Sequence, residues 1–523
     1  MLYQSPYNEG FWFPEIDIPS LVLDENIKKA SPAKPAIIDG YTGEVVFTYQ
    51  SLRHDIVVFA GFLQRQLRIG HGDVVAYLSF NTTYYPVVIH GILAAGATAS
   101  ALNPAYKSEE IAHALKLARP KYAIIQSALV NDMNAAIRLL PDDQLKPKLF
   151  VLDGASTEYP HRDMHDILVH GSTNLLQRPR RSPEQVAQDL AFICFSSGTS
   201  GLVKGVRLTH RNVVANVFQQ GYCLRDMYTP ETIFTLAVPF FHVLGLAAFC
   251  CQYVSHGAPI VVFKKFELPQ FLTSLSRDKV THVNVVPPIA LALLQSPLAA
   301  EADFSSVKCL MNAAAPLKQA LADKLCKRMD CVLTQWYGMT EASPSVISQR
   351  EGEANVPHTI GRLLPGMQMR LIDETDVPQG QPGELLLRGP NMMAGYVGPP
   401  EITDSAVLDG FLRTGDVGYV NEEGFVFLVD RVKELIKVKG NQVAPAELEA
   451  VLLSHPAVTD AAVCGVYLDD EATEYPIAYV SISKPATGNT MVALEIQAFV
   501  DGQVAHYKHL QGGVHVLEMI SRK

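Results

Sequence analysis

Between Pro35 and about Val130, short apolar runs alternate with stretches whose apolar residues recur at helical spacing, and the same alternation returns from Glu231 to about Glu341. Parallel strands need long crossover connections, usually helices, and those helices cover the sheet faces. In the first stretch Ala36–Asp39 and Val45–Thr48 read as a strand pair, Tyr49–Leu67 as a helix, Val74–Leu78 as a strand running into Asn81, Tyr84–Leu93 as a helix and Ala99–Leu102 as a strand. In the second, strands are expected at Pro259–Phe263, His282–Val286 and Lys308–Asn312, with helices near Phe249 and at Leu268–Leu275, Ile289–Leu294 and Leu317–Met329. Residues 141–189 are polar and rich in Pro and Arg, which predicts a loop-dominated connection. Beyond Pro357, short strands and Gly/Pro turns predict a small β-rich barrel. The texture changes again at Asp430-Arg431, to a compact unit with helix Pro445–Leu453, strands Val458–Val466 and Ile477–Ser483, and helix Met491–Val500. The expected fold is α/β. A large N-terminal domain, 1–430, holds two helix-covered sheets and a β-barrel subdomain at about 357–430, and a small α+β C-terminal domain spans 431–523.

At 523 residues, 48% hydrophobic and 18% charged, the chain has ample core for more than one unit. Its net charge of −10, with no basic tract, argues against non-specific nucleic-acid binding. The eight cysteines (194, 223, 250, 251, 309, 326, 331, 464) lie in apolar surroundings without C-x-x-C spacing, which suits reduced thiols and a cytoplasmic location. No Lys or Arg precedes Lys28, and Trp12, Glu15 and Asp17 interrupt the first apolar residues, so no secretory signal is expected. Leu236 to Val254 is the most apolar region, but it contains Pro239, His242 and Gly245 and reads as buried core, not a membrane span. Ser521-Arg522-Lys523 is not a peroxisomal S-K-L signal; such a signal would have to lie beyond Lys523.

The chemistry centres on residues 190–216. The apolar run Leu190 to Phe195 fits a buried strand that delivers Ser196, Ser197, Gly198, Thr199, Ser200 and Gly201, followed by Lys204 and Gly205. A second short strand, Val206 to Leu208, and a helix from about Asn212 should follow. Glycines let backbone N–H groups approach phosphate oxygens, hydroxyls add donors, and a lysine supplies positive charge. The loop is not a Walker A motif, because its lysine precedes Gly205 and its glycines are spaced differently.

These residues resemble the phosphate loop of the adenylate-forming superfamily, which includes acyl-CoA and aryl-CoA ligases, firefly luciferase and the adenylation domains of peptide synthetases. Three later stretches match that family in order. Pro239-Phe240-Phe241-His242-Val243-Leu244-Gly245 is similar to the segment whose histidine lies between acyl pocket and adenylate. Ala313-Ala314-Ala315-Pro316 and Gln335-Trp336-Tyr337-Gly338-Met339-Thr340-Glu341 resemble the adenine-binding segments. There the resemblance implies that the small residues and Tyr337 sandwich the base, Thr340 bonds the α-phosphate and Glu341 holds Mg²⁺. Arg413-Thr414-Gly415-Asp416 and the string from Asp430 to Glu449 resemble the ribose-binding and hinge segments of the 4-coumarate:CoA ligase and luciferase branch. Asp416 and Arg431 are then expected on the ribose and Lys433 at the hinge of a mobile C-terminal domain. Lys437 and Gln442 would reach the active site in one domain orientation, Lys439 and Gly440 would flank the pantetheine channel, and Lys265 would meet CoA phosphate. The implied acyl pocket comprises His242, Leu244, Ala314, Trp336, Gly338 and Ser343.

The resemblance spans essentially the whole chain and implies an ATP-dependent acid:CoA ligase using ATP, Mg²⁺, CoA and a small carboxylic acid. Two competing expectations are an adenylating enzyme that passes acyl-AMP to an amine, a carrier protein or oxygen, and a nucleotide-binding pseudoenzyme. The family's closing lysine would lie about four residues beyond Lys523, so a truncated form of a longer enzyme is expected. Loss of such a charge would cost ~10²–10³ in rate. Trp336 stands where coumarate ligases carry glycine, which predicts a smaller or differently shaped acid than a hydroxycinnamate, such as a short aliphatic or compact aryl acid.

Overall fold

The computed structural model describes residues 1–523 except 26, 154–161, 171–177, 198–202, 314–316, 318, 374, 432–435, 440, 444, 483–488, 519 and 521–523; for 197, 320, 429–431, 442, 446, 489 and 490 it describes the backbone alone. Two large sheets dominate. The first has nine strands in the order 362–363, 345–348, 332–338, 309–312, 282–285, 234–236, 260–262, 35–39 and 45–48. Neighbours from 332–338 through 35–39 run parallel, and the edge strands are antiparallel. The second sheet has seven strands in the order 395–396, 203–209, 190–197, 98–102, 74–78, 122–125 and 148–151.

The alternation that predicted helix-covered sheets is realised with small shifts. Tyr49–Leu67 is helical as expected, begun by a capping box between Thr48 and Ser51 and ended at Arg68 in a left-handed conformation. Strand periodicity then sorts the core. Phe234, Cys309, Met311 and Trp336 point into the largest apolar cluster, while Val283, Val285, Leu310 and Leu333 point into a separate one.

One expectation needs correction, and two are extended. Residues 141–189 are not merely a connection: Lys148–Val151 adds an edge strand beside Tyr122–Ile125, and Met164–His170 and Pro183–Gln188 are helical. The polar surroundings hid Leu149, Phe150 and Val151, whose burial holds that strand in place. The β-rich segment after Pro357 does not stand alone. Its antiparallel sheet recruits Leu2–Gln4 beside Gln368–Arg370, and Arg362–Leu363 extends the nine-stranded sheet instead. The helix near Phe249 is a wide π-helix, Leu244–Tyr253, buried throughout.

Beyond a short hairpin, 436–438 with 441–443, lies a three-stranded sheet of Val458–Leu468, Thr473–Ile482 and Val514–Val516, flanked by helices Pro445–Leu453 and Asn489–Asp501. It has its own apolar core. Tyr507 leaves that core to pack also against the cluster around Tyr106 and Val203, and Lys508 pairs with both Glu110 and Glu447. No helix among the described residues is long and apolar enough to cross a membrane.

Candidate active site

Carboxyl ends of parallel strands from both large sheets meet at Asn81, and such strand ends are the usual place for a ligand in this kind of fold. Asn81 ties the two ends together. Its amide donates to the Val238 and Phe263 carbonyls and accepts from Phe240 N–H at 2.8–3.2 Å.

Glu341 is the anchor of the cleft. Ser196 Oγ donates to Glu341 Oε1 at 2.8 Å, and the Tyr396 hydroxyl donates to the same oxygen at 2.9 Å. Tyr396 is brought there because Gly395–Tyr396 pairs with Arg207 and Val206, the strand that also carries Lys204. Lys204 Nζ lies 4.9 Å from the Tyr396 ring centre. Burial pushes the Tyr396 phenol's pKa up, with the Glu341 charge and hydrogen bond adding to the rise, so the phenol stays a donor at neutral pH.

The turn that presents Glu341 is tightly built. A Cβ on Gly338 would lie 2.0 Å from the Pro344 carbonyl oxygen, so no side chain fits there. Ser343 takes a left-handed φ of 66°, and the Met339 N–H donates to the Pro344 carbonyl. A buried amide network holds the turn from behind: Asn391 Nδ2 donates to the Ala342 and Ser345 carbonyls, and Asn216 Nδ2 donates to the Ser345 carbonyl at 2.7 Å. Gln219 bridges to Asn391.

Four residues before Glu341, the Tyr337 hydroxyl donates to Asp416 Oδ2 at 2.6 Å. Asp416 is itself fixed by its N–H, which donates to Thr414 Oγ1 at 3.0 Å. Gln335 is held by Asn312, and Trp336 is buried, its indole N–H donating to Thr334 Oγ1 at 3.2 Å. His242 sits half-buried at the cleft's inner side. Leu244 N–H donates to its Nδ1, which leaves Nε2 as the protonated nitrogen, and burial pushes its pKa down to about 4. Gly245 permits this turn, since a Cβ there would meet the Pro239 carbonyl oxygen at 2.5 Å.

Ser196 and Tyr396 thus meet on the Glu341 carboxylate with Lys204 over the Tyr396 ring, and Tyr337 bonds the Asp416 carboxylate. Thr340, Ser343 and Leu244 are buried, the first two on the turn that carries Glu341. Lys437 lies opposite Gln442 in the 436–443 hairpin, and Lys439, at its left-handed tip, pairs with Glu471. Lys265 is an exposed surface residue paired with Glu267. Gly198, Thr199, Ser200, Gly201, Ala314, Ala315, Pro316, Lys433 and Gly440, and the side chains of Ser197, Arg431 and Gln442, lie outside the described residues.

Sequence reasoning missed Tyr396, Asn391, Asn216 and Asn81. Asn216 carried a weak signal, a polar residue on the buried side of the helix His210–Cys223. Tyr396 had none, because it reaches Glu341 only through pairing of strands far apart in the chain. Among the described residues no three His, Cys, Asp or Glu form a metal cage. A single buried carboxylate oriented through one oxygen suits Mg²⁺, which takes one or two carboxylates and completes its shell with phosphate and water.

Residues 23–397 match the family model described as AMP-binding enzyme, and residues 447–523 match the AMP-binding enzyme C-terminal domain. The chain is 34% identical over 524 residues to a probable 4-coumarate–CoA ligase of Dictyostelium discoideum, covering 97% of this chain and 93% of that protein. It is 35% identical over 502 residues to a 4-coumarate–CoA ligase of Petroselinum crispum, covering 93% and 88% of the two chains. Among solved structures it superposes on an amide bond synthetase from Marinactinospora thermotolerans with a TM-score of 0.83 at 25% identity, covering 97% of each.

Proposed function

Because the chain belongs to the AMP-binding enzyme family, the adenylate-forming ligases, we propose that it activates a carboxylic acid with ATP and transfers the acyl group to the thiol of CoA. In the first half the acid's carboxylate oxygen attacks the α-phosphorus, forming acyl-AMP and releasing pyrophosphate. In the second the thiol sulfur attacks the acyl carbon, expelling AMP and losing its proton.

The carrying observation is that Glu341 and Tyr337, four residues apart on one rigid turn, are tied to Ser196 and Asp416 respectively. The reading that one segment carries both a phosphate anchor and a sugar anchor draws its support from these two bonds. In this reading Ser196 and Lys204 grip the phosphates together with residues 197–201, and Thr340 donates to the α-phosphate. Asp416 accepts from the ribose hydroxyls, with Arg431 on the same sugar, and Tyr337 lies against the adenine opposite Ala314–Pro316. Glu341 would hold Mg²⁺, which neutralises phosphate charge as it builds. Neutral His242 offers its Nε2 proton toward the acyl carbonyl. Lys437 and Gln442 serve adenylation, while Lys439, Gly440 and Lys265 serve CoA after a movement about Lys433.

A second reading, transfer to an amine, draws on the likeness to the amide bond synthetase. Pyrophosphate release over a panel of acids, with CoA, with an amine and with neither, decides. Acyl-CoA and AMP formed only with CoA supports the proposal. Amide formed at comparable rates in the absence of CoA supports the second reading, and no pyrophosphate with any acid refutes both.

A further inference from the structure

The helix Gln319–Met329 ends at Asp330, whose φ of 51° is left-handed, and the Cys331 N–H then donates back to the Cys326 carbonyl at 3.2 Å. A bond from the sixth residue to the first across a left-handed residue is a common way to stop a helix, and it lays the first and sixth side chains against one another. Apolar residues usually fill those two places. Here both are cysteines, so the helix end itself holds two thiols side by side. The Cys331 thiol donates to the Cys326 sulfur, which lowers the Cys326 pKa with burial opposing, whereas the same bond and burial raise that of Cys331.

Both thiols are free and half-buried, and both line a cavity of about 290 Å³ together with Asp323, Gln335, Gln349 and Glu351. A third thiol, Cys309, lies near them but is 0% exposed, and burial pushes its pKa up to about 12. An accessible thiol of lowered pKa with a second thiol at its side is the arrangement that reacts with peroxide. The corner also has a telling position in the chain. The helix follows Ala313–Pro316, and Cys331 leads into the strand Val332–Gly338, which carries Gln335 and Tyr337. Gln335 N–H donates to Gln349 Oε1 at 2.9 Å, and its side-chain oxygen accepts from Asn312 Nδ2 at 2.7 Å.

We infer that Cys326 and Cys331 form a reversible disulfide with peroxide as the oxidant, and that this disulfide weakens nucleotide binding by the strand they lead into. The second part rests on the function proposed above, in which Tyr337 lies against the adenine opposite Ala314–Pro316. The Cys326 thiolate, its proton given to solvent, attacks one peroxide oxygen to form the sulfenic acid and release hydroxide, which takes up that proton as water. The Cys331 sulfur then attacks the sulfenic sulfur, loses its proton and expels a second water. Two thiols and one peroxide thus give one disulfide and two waters, and a dithiol reductant restores both thiols. Joining the sulfurs draws them closer than a hydrogen-bonded pair lies and so moves the start of the strand, with Gln335 and Tyr337 along it. A disulfide of this kind suits a reducing compartment, where such bonds are mostly transient sensors.

The test treats the full chain with a stoichiometric amount of hydrogen peroxide, maps disulfides by peptide mass spectrometry without reduction, and measures ATP binding by calorimetry before oxidation, after it and after dithiothreitol. Cys326 and Cys331 should be found joined, and the ATP dissociation constant should rise about fivefold on oxidation and return on reduction, the low end of a coupling between two sites. By linkage, saturating ATP should make the disulfide easier to reduce by the same factor, about 20 mV. Cys326→Ser and Cys326→Ala should hold their affinity for ATP through the same treatment. A bond between another pair, no bond at all, or an equal loss of affinity in the Cys326 variants overturns the inference, and so does a Cys326–Cys331 bond that leaves ATP affinity unchanged. If neither form binds ATP, the proposed function fails and takes the nucleotide effect with it, while the peptide map still decides whether the two thiols are joined.

Discussion

Replacing Lys508 by methionine removes a charge from the centre of a buried triad while keeping most of the side chain's volume. Lys508 Nζ lies 2.5 Å from Glu110 Oε1 and 2.8 Å from Glu447 Oε1, and the lysine side chain is 2% exposed. Burial pulls the lysine's pKa down, but Glu110 and Glu447 more than offset this, so it is raised overall. Glu110 belongs to the helix Ser108–Ala118, which packs with the seven-stranded sheet, whereas Glu447 and Lys508 both lie beyond residue 440. Lys508→Met leaves two carboxylates facing each other without a counter-ion, and Glu447 Oε2 already lacks a hydrogen-bond partner. Removing one partner of a buried pair costs about 3–5 kcal/mol. Glu110→Gln is the informative contrast: it keeps the Lys508–Glu447 pair and weakens only the link to the rest of the chain, at about 1–3 kcal/mol. Urea denaturation followed by hydrogen exchange should show Lys508→Met destabilising the region beyond residue 440 itself. Glu110→Gln should leave that region's own protection intact, while limited proteolysis between residues 430 and 445 becomes faster. If both variants stay within about 0.5 kcal/mol of wild type with unchanged cleavage, the triad carries no weight and the reasoning fails.

Glu341→Gln keeps the shape but not the charge of the anchor, and should lower kcat/KM for pyrophosphate release by ~10²–10³ while weakening its Mg²⁺ dependence; a change under threefold would remove Glu341 from the site. Trp336→Gly should open the column over Thr334 and broaden the range of acids accepted, so an unchanged profile over a chain-length series would count against the indole as a pocket wall. His90 and His256 are buried and held neutral, each with a pKa lowered to about 4 by desolvation. The unfolded chain takes up those protons near pH 6.5 and the folded chain does not, so stability present above pH 6.5 falls as pH drops toward 4. The slope reaches about 3 kcal/mol per pH unit for the two together, and a urea midpoint unchanged between pH 7 and 5 would refute it.

Local chemistry made much of this protein legible from its residues alone. The 3.6- and 2-residue periodicities announced elements such as Tyr49–Leu67, Val74–Leu78 and Leu268–Arg277, because burial of one face is a property of consecutive residues. Motifs of contiguous residues, such as Tyr337 to Glu341, likewise announced the AMP-binding enzyme family that residues 23–397 match. The edge strand at Lys148–Val151 and the pairing of Leu2–Gln4 with residues 368–370 were not legible, because strand partnership across hundreds of residues leaves no local pattern. For the same reason only the tertiary structure set Tyr396 on Glu341, and Asn216 and Asn391 behind the turn. Residue type says what a side chain can bond, but the partner it meets is decided by which strands and helices pack together.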